Sequence, residues 1–265
     1  MADNKGWAVI LGASSGFGGA TSRELARNGF DIFGVHLDMH STIANAEAIV
    51  KDIEAQGQRA VFINMNAADE AKRKAAVARL VEETSKDGSF VRVLMHSLAF
   101  GALLPSIADD PKARLSQKQM EMTLDVMANS LIYWAQDLAA NNLLRKGSRI
   151  YAMTSSGSTK VIKSYGAVSA AKAALEAHIR QLAIELAPRG VTATAIRAGV
   201  TDTPALRRIP EGIALLERVK LSHPMGRATT PEDVAQTIAV LSDERLQWLT
   251  GNVLGVDGGE DITMI

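Results

Sequence analysis

The segment Trp7-Ala-Val-Ile-Leu11-Gly12-Ala-Ser-Ser-Gly16-Phe-Gly18 decides the fold. Its first five residues are apolar, as in a strand that is buried on both faces, and its last glycine opens a predicted helix at Gly18–Asn28. Gly12 permits a tight turn, Gly16 lets the backbone approach a pyrophosphate, and Gly18 allows close packing of helix on strand. The order of strand, glycine turn and helix predicts a phosphate-binding loop, with a plain tight turn as the alternative.

Short apolar runs alternate with longer helical segments along the rest of the chain. Strands are predicted at Trp7–Leu11, Asp31–His36, Ala60–Asn64, Val91–His96, Ser148–Met153, Val191–Ile196 and Asn252–Val256. Helices are predicted at Gly18–Asn28, Thr42–Gln56, Asp69–Ser85, Gln117–Leu144, Tyr165–Ala187 and Pro231–Ser242. This alternation predicts an α/β fold, a single Rossmann-type doubly wound domain over residues 1–265. We expect about seven parallel strands, with helices on both faces.

The composition narrows the class of protein. The chain has 265 residues, of which 47% are hydrophobic, enough for the core of one domain. Its 29 basic and 29 acidic residues cancel, which argues against a nucleic-acid binder. It has no cysteine, and its five histidines lack metal-ligand spacing, so we expect no metal. Residues 1–7 lack the apolar run of a signal peptide and no run is long enough for a membrane span, so we expect a cytoplasmic protein.

Residues 204–224 interrupt the alternation between the sixth strand and the last helix. Apolar residues give a helix there one apolar side: Ile213, Leu215, Leu216, Val219 and Leu221. Charge comes from Arg207, Arg208, Arg218 and Lys220. Because ligands bind such sheets beyond the carboxyl ends of the strands, we interpret the insertion as a substrate lid. An ordinary surface helix is the alternative.

Tyr165 and Lys172 are seven positions apart on the predicted helix Tyr165–Ala187, so they share one face about two turns apart. A phenol is a weak acid, with a pKa of roughly 10, and a nearby ammonium makes it a better proton donor. A reductase needs such a donor beside a carbonyl oxygen that becomes negative as hydride arrives. The pair therefore predicts a catalytic site, with a packed ring and a solvated amine as the alternative.

Three motifs in this order resemble the short-chain dehydrogenase/reductase family over essentially the whole chain. They are the loop Gly12–Gly18, the pair Tyr165 and Lys172, and the run Val256-Asp-Gly-Gly259. The resemblance implies the Rossmann-type fold and a nicotinamide cofactor.

Two departures narrow this resemblance. The commoner members have Lys four positions after the Tyr, where this chain has Ser169. They also have Asn-Asn-Ala-Gly after the fourth strand, where this chain has His96-Ser97-Leu98-Ala99-Phe100. Both departures, and the run Arg197-Ala-Gly-Val-Thr-Asp-Thr203, are similar to the enoyl-acyl-carrier-protein reductases of bacterial fatty-acid synthesis.

That resemblance implies NAD(P)H-dependent reduction of trans-2-enoyl thioesters carried by acyl carrier protein. Tyr165 would hold the thioester carbonyl and stabilise the enolate, and Lys172 would bind the nicotinamide ribose. Ser155 would supply a second hydroxyl ten positions before the Tyr, although a Thr-Ser-Ser-Gly stretch is also common in ordinary loops. The substrate contacts would be Phe100, Ser156, Leu206 and Ile213.

The resemblance also implies a set of cofactor contacts. Gly12, Ser14, Ser15, Gly16, Phe17, Gly18 and Thr203 would surround the phosphates, Asn66 the adenine, Ser97, Leu98, Ala99 and Lys172 the nicotinamide ribose, and Gly199, Val200 and Thr201 the carboxamide. An ordinary loop residue with no ligand is the alternative for each small residue in this set.

Asp38 bears on the choice between NADH and NADPH. A carboxylate near the end of the second strand accepts hydrogen bonds from the ribose hydroxyls and favours NADH. No Lys or Arg lies within residues 29–50 to meet a 2′-phosphate. His36, His40 and Ser41 still leave room for a phosphate, so the sequence favours NADH and keeps NADPH open.

Two other functions stay open. A ketone or 3-oxoacyl reductase would use the same scaffold, because fold does not settle substrate. A non-catalytic dinucleotide sensor is disfavoured by the intact Tyr165 and Lys172.

Apolar positions in Met122–Leu144 and Leu175–Leu186 exceed what one sheet face requires. In the resembling family these helices pair between subunits, so we expect a homotetramer, with core packing as the alternative.

Overall fold

The computed structural model describes residues 5–263, so Met1–Asn4 of the N-terminal prediction lie outside the described residues. Within that range one parallel sheet contains seven strands in the order β3-β2-β1-β4-β5-β6-β7. The strands are β1 (Trp7–Leu11), β2 (Asp31–His36), β3 (Ala60–Asn64), β4 (Val91–His96), β5 (Arg149–Thr154), β6 (Thr192–Ala198) and β7 (Val253–Val256). The predicted doubly wound fold is confirmed.

Helices cover both faces of the sheet. They are α1 (Gly16–Arg27), α2 (Ile43–Glu54), α3 (Glu70–Ser85), α4 (Gln117–Leu124), α5 (Ser130–Ala140), α6 (Gly166–Glu185), α7 (Gly212–Ser222) and α8 (Pro231–Leu241). Along β1, Val9 and Leu11 enter the core formed with α3, α5 and α6. Ala8 and Ile10 enter the core formed with α1, α2 and α8. Both faces of the strand are buried, which explains its continuous apolar run.

The predicted helix Gln117–Leu144 is wrong in two respects. A π-helical turn at Asp125–Asn129 separates α4 from α5. The helix then ends at Ala140, and Asn142 adopts a left-handed conformation with φ of 55°. Leu143 and Leu144 are buried in the core although they lie in this turn. Their apolarity therefore reflects the burial of a turn and not the continuation of a helix.

The insertion at 204–224 contains a short 3₁₀ turn at Leu206–Arg208 and then α7. Leu216 and Val219 are buried, but Leu221 is 91% exposed, so the expected apolar side is only partly turned inward. The role of this segment as a lid stays a prediction.

The order of the strands brings the candidate site residues to one edge. The chain passes from β1 to β2 and β3 on one side, and continues from β4 on the other side of β1. Ligands bind at such a reversal, beyond the carboxyl ends of the strands. The loops that follow β1, β4, β5 and β6 share this edge, and they carry most of the predicted site.

Gly18 provides a test of how this edge is packed. A Cβ on Gly18 would overlap the carbonyl oxygen of Gly12, which is rigid backbone. A Cβ on Gly19 would approach the flexible end of Ile49 at 3.0 Å and would otherwise make ordinary contacts, such as 3.5 Å to the carbonyl oxygen of Ala13. We expect Gly18→Ala to lower the free energy of unfolding by roughly 1–3 kcal/mol. Gly19→Ala, which gains helix propensity, should stay within about 1 kcal/mol of the parent chain. Urea unfolding of both variants measures the difference, and equal stabilities would contradict the packing argument.

Candidate active site

The glycine loop is held between the ends of neighbouring strands. Gly12 has φ of +93°, and its N–H donates to the carbonyl of Val35 at 2.8 Å. A Cβ at this position would overlap the carbonyl oxygen of Ser97, so only glycine fits. This contact brings two predicted cofactor residues, Gly12 and Ser97, together at the junction of β1 and β4.

The N-terminus of α1 suits an anion. Ser15 is the N-cap residue, yet its side chain caps no backbone N–H, and the first turn contains no acidic residue. The amides at this end and the helix dipole therefore suit a phosphate group. Thr203, from the loop after β6, borders the turn, because a Cβ on Gly16 would lie 3.5 Å from its methyl group. The residues present thus fit the pyrophosphate of a dinucleotide.

Asp38 lies beside this loop. Its Oδ2 is 2.8 Å from Nδ1 of His36. Its backbone N–H donates to Oδ1 of Asn64, whose amide donates back to the carbonyl of Asp38. Burial raises the pKa of Asp38, but hydrogen bonds from Thr42, Ser14 and His36 outweigh it and lower the pKa below its ordinary value. Asp38 is therefore a fixed negative charge next to a predicted phosphate residue, Ser14.

Tyr165 is the N-cap residue of α6 and is buried, with only 8% of its surface exposed. Burial raises the pKa of its phenol above the ordinary value, and a hydrogen-bond interaction with Ser155 acts in the opposite direction. The phenol is therefore a weaker acid than usual, contrary to the expectation that Lys172 would make it a stronger one, and it is neutral near neutral pH. The structure thus brings together Tyr165 and Ser155, two of the three predicted catalytic residues.

Lys172 lies two turns further along α6 and is buried. Its Nζ donates to the carbonyl of Met153 at 2.7 Å and to that of Leu98 at 3.4 Å. Burial lowers the pKa of Lys172 to about 8, and the charge of Glu176 opposes that shift. Both bonds of Lys172 go to backbone carbonyls and neither goes to Tyr165, whose phenol interacts with Ser155. An ammonium has three N–H donors, so one is left for a ligand such as a ribose hydroxyl.

His96 lies behind this lysine at the end of β4 and is fully buried. Its Nε2 is 2.9 Å from Oγ of Ser130, which itself donates to the carbonyl of Val126 in the π-helical turn. Because the Ser130 proton is used there, His96 carries its proton on Nε2. Burial, and then the charge of Lys172, lower the pKa of His96 to about 3, so it is neutral.

The remaining predicted residues are more scattered. Thr201 donates its hydroxyl to the carbonyl of Gly199 at 2.8 Å, in the loop after β6. Asn66 accepts from the N–H of Ala68 at 3.0 Å, a local bond that does not connect it to Tyr165, Lys172 or Ser155. The other members differ in exposure: Leu206 is buried, Phe17, Leu98, Ser156 and Val200 are half-buried, and Ala99, Phe100 and Ile213 are exposed.

Sequence reasoning missed three residues that shape the site: Glu260, Ser169 and Gly157. Glu260 accepts from the N–H of Val200 through both carboxylate oxygens, at 3.1 and 2.9 Å. Burial raises the pKa of Glu260, and this hydrogen bond opposes the shift. The hydroxyl of Ser169 donates to the carbonyl of Gly157. Glu260 follows the predicted run Val256–Gly259 directly, but nothing in the sequence indicates what it contacts.

Residues 5–263 also bear on metal binding and on membrane insertion. No group of three or more His, Asp or Glu side chains there is arranged to hold a metal ion. Over the same residues, none of the helices combines the length and apolarity that crossing a membrane requires.

Comparison with known proteins places the chain in a family. A family profile described as "Enoyl-(Acyl carrier protein) reductase" matches residues 12–260. A 3-oxoacyl-[acyl-carrier-protein] reductase of Aggregatibacter actinomycetemcomitans is 29% identical over 254 residues, which cover 95% of this chain and 97% of that protein. A 1-cyclohexenylcarbonyl-CoA reductase of Streptomyces collinus is 27% identical over 263 residues, covering 98% and 89%.

A solved structure agrees in fold and sequence. The short-chain dehydrogenase of Burkholderia cenocepacia J2315, in complex with NADP, superposes with a TM-score of 0.82. It is 27% identical, and the match covers 98% of this chain and 100% of that chain. The profile spans most of the chain and includes the glycine loop, Tyr165 and Lys172. This protein belongs to the short-chain dehydrogenase/reductase family of oxidoreductases.

Proposed function

We propose that the protein reduces trans-2-enoyl thioesters carried by acyl carrier protein, with NADH as the reductant, in fatty-acid synthesis. One observation carries the proposal: the buried phenol of Tyr165 and the buried ammonium of Lys172 lie two turns apart on α6, at the same edge as the glycine loop. In Tyr-x3-Lys the two residues are four positions apart, whereas Tyr165 and Lys172 are seven positions apart, about one turn more. The residue four positions before Lys172 is Val168.

The chain's residues suit this chemistry. The β-carbon of the substrate would accept the hydride that a bound reduced nicotinamide supplies. Tyr165, neutral because burial raises its pKa, donates a hydrogen bond to the thioester carbonyl, whose oxygen becomes negative as the enolate forms. The enolate oxygen then takes the proton of Tyr165, the enol becomes the saturated thioester as that proton moves to the α-carbon, and a proton from solvent restores the phenol. Lys172 holds the ribose through its remaining N–H, and below about pH 8 its charge favours the negative oxygen.

The relatives support reduction of a thioester substrate, but they leave open which bond of the substrate is reduced. The Streptomyces collinus relative is named for a 1-cyclohexenylcarbonyl thioester, in which the double bond is conjugated to the carbonyl. The Aggregatibacter relative is named for 3-oxoacyl thioesters. The interaction of Ser155 with Tyr165 favours this second candidate, because two hydroxyls beside a ketone oxygen suit its conversion to an alcohol.

The entrance to the site suits an apolar chain. Exposed apolar side chains lie on three segments that follow strands at this edge of the sheet: Phe100 and Ile107 after β4, Val161 after β5, and Ile213 on α7 after β6. Arg207 pairs with Asp202 and Lys220 pairs with Glu217. No ion pair within the described range 5–263 involves Arg208 or Arg218, so we assign contact with an acidic carrier to these two residues.

We also propose a cytoplasmic homotetramer. β7 is the outermost strand of the sheet, and apolar side chains on nearby elements are exposed, Ile184 by 75% and Trp248 by 100%. Large exposed apolar side chains beside an open sheet edge favour self-association. Sedimentation of the purified protein measures its assembly directly.

The choice of substrate is tested by the oxidation of NADH with matched enoyl and 3-oxoacyl thioesters of one chain length. We expect turnover of the enoyl thioester, and a loss of about 100-fold or more in Tyr165→Phe, because the proton donor is removed. Tyr133→Phe, whose hydroxyl donates to Asp125 away from the site, is the matched control. Turnover of the 3-oxoacyl thioester alone would establish the second candidate instead.

Asp38 provides a test of cofactor preference. A carboxylate fixed beside the ribose repels a 2′-phosphate by roughly 1–4 kcal/mol, depending on the local dielectric. We therefore expect the parent chain to bind NADH more tightly than NADPH, and Asp38→Asn to shift the ratio of the two dissociation constants by about tenfold toward NADPH. Asp52→Asn, on α2 and paired with Arg23, is the control. Tighter binding of NADPH by the parent chain would contradict the assignment.

Lys172 predicts a pH dependence of cofactor binding. Its native pKa of about 8 lies below the ordinary 10.5, so the ammonium is present below pH 8 and is lost above it. We expect the affinity for NADH to fall as the pH rises through about 8, because the neutral amine is a weaker donor to the ribose. In Lys172→Met the affinity should be lower and nearly independent of pH across this range. NADH fluorescence titrations measure both, and a flat profile in the parent chain would contradict the role.

A further inference from the structure

Ser169 occupies the position at which a lysine is commoner in the family, and the proposed function does not use it. It lies one turn after Tyr165 on α6, where its N–H donates to the carbonyl of Tyr165 at 2.8 Å. Its hydroxyl is not bonded back to its own helix. It reaches across to the turn after β5 and donates to the carbonyl of Gly157. The bond therefore joins the catalytic helix to the loop that carries Ser155.

Gly157 contacts both of the predicted catalytic residues that carry a hydroxyl, Ser155 and Tyr165. Its N–H donates to Oγ of Ser155 at 3.1 Å, and its carbonyl accepts from Ser169. Its Cα packs on the ring of Tyr165 so closely that a Cβ would come within 2.7 Å of Cε1. A shift of this residue would therefore move the hydroxyl of Ser155 and the packing of the phenol together.

The bond to Gly157 also orients the hydroxyl of Ser155. A serine hydroxyl has one proton and two acceptor sites, and the N–H of Gly157 takes one acceptor site. The proton of Ser155 is then free for the oxygen of Tyr165. Charged side chains on the surrounding elements have other partners: Lys160 pairs with Asp261, and Lys172 bonds to Met153 and Leu98. Lys163 is exposed.

We propose that Ser169 is a positioning residue, whose hydroxyl holds the Ser155–Gly157 turn against α6 and so keeps Gly157 packed on the ring of Tyr165 with the Ser155 hydroxyl beside it. This role rests on the proposed function in one respect, that Tyr165 is the proton donor. The geometry of the bond does not depend on which thioester is reduced.

The first test titrates Tyr165 in the cofactor-free protein. Ultraviolet absorbance after a rapid rise in pH follows phenolate formation, and subtraction of Tyr165→Phe separates this residue from Tyr133 and Tyr151. In Ser169→Ala we expect the ionisation constant of Tyr165 to fall about fivefold, the effect of losing one hydrogen bond. Ser169→Thr keeps the hydroxyl and should restore it.

Ser85→Ala is the matched control, since it also removes a helical hydroxyl that donates to a carbonyl, that of Val81 on α3. It should leave the titration of Tyr165 unchanged. An unchanged titration in Ser169→Ala, with the near-ultraviolet circular dichroism of a folded protein, would overturn the proposal. Failure of Ser169→Thr to restore the parent value would overturn it as well.

A double-mutant cycle with Ser155→Ala tests whether Ser169 acts through Ser155. We expect the double variant to titrate like Ser155→Ala alone, because the turn then has no hydroxyl left to position. Effects that add independently would show that Ser169 does not act through Ser155. The titration needs no substrate, so it tests Ser169 separately from the proposed function. If the variants titrate as expected but the parent protein reduces no enoyl thioester, only the proposed function is wrong.

Discussion

The buried ammonium of Lys172 is the constraint on which the arrangement of the site depends. A buried charge is costly unless it is hydrogen-bonded, and this one is bonded to the carbonyls of Met153 and Leu98. Those carbonyls belong to β5 and to the loop after β4, so the same group ties α6 to the ends of two neighbouring strands. Burial still lowers its pKa to about 8. The cation is thus held in place by the fold, and these two bonds leave one of its three N–H donors over.

The charge of Lys172 affects the ionisable groups around it. His96 remains neutral because burial and the nearby ammonium both disfavour its protonated form. Glu176 favours the ammonium, and its carboxylate is itself held by the hydroxyl of Thr154 at 2.6 Å. Tyr165 differs, because burial makes its phenolate unfavourable and only Ser155 opposes that effect. The candidate site therefore combines a neutral phenol with a separate fixed cation, an arrangement that suits a substrate oxygen on which negative charge develops.

The sequence predicted the fold well because the central strands of the sheet are buried on both faces and form continuous apolar runs. It could group Gly12, Tyr165 and Lys172 as candidate site residues because their spacing is fixed by local geometry, and their roles stay predictions. It failed where distant residues decide the structure. Leu143 and Leu144 are apolar because a turn enters the core, and the helix had already ended at Ala140.

The contacts of two site residues were equally hidden from the sequence. Glu260 meets Val200 across 60 positions of the chain, and Ser169 meets Gly157 across 12. Neither contact follows from periodicity or from a motif. Each depends on the packing of loops that the order of the strands brings together. Sequence spacing therefore predicts which residues share one face of a helix, and not which residues hold the loops in place.

The spacing of Tyr165 and Lys172 bears on the choice between an enoyl and a ketone substrate. In Tyr-x3-Lys the phenol is one turn from the ammonium, whereas three additional residues here move it about 4.5 Å further along the helix axis. If Lys172 holds the ribose in both cases, the phenol lies further from the nicotinamide. In a ketone the carbon that accepts hydride bears the oxygen, but in an enoyl thioester it is two bonds further from it. The longer spacing therefore favours the enoyl substrate, and Val168, buried where the commoner tyrosine would stand, leaves no hydroxyl at the shorter distance.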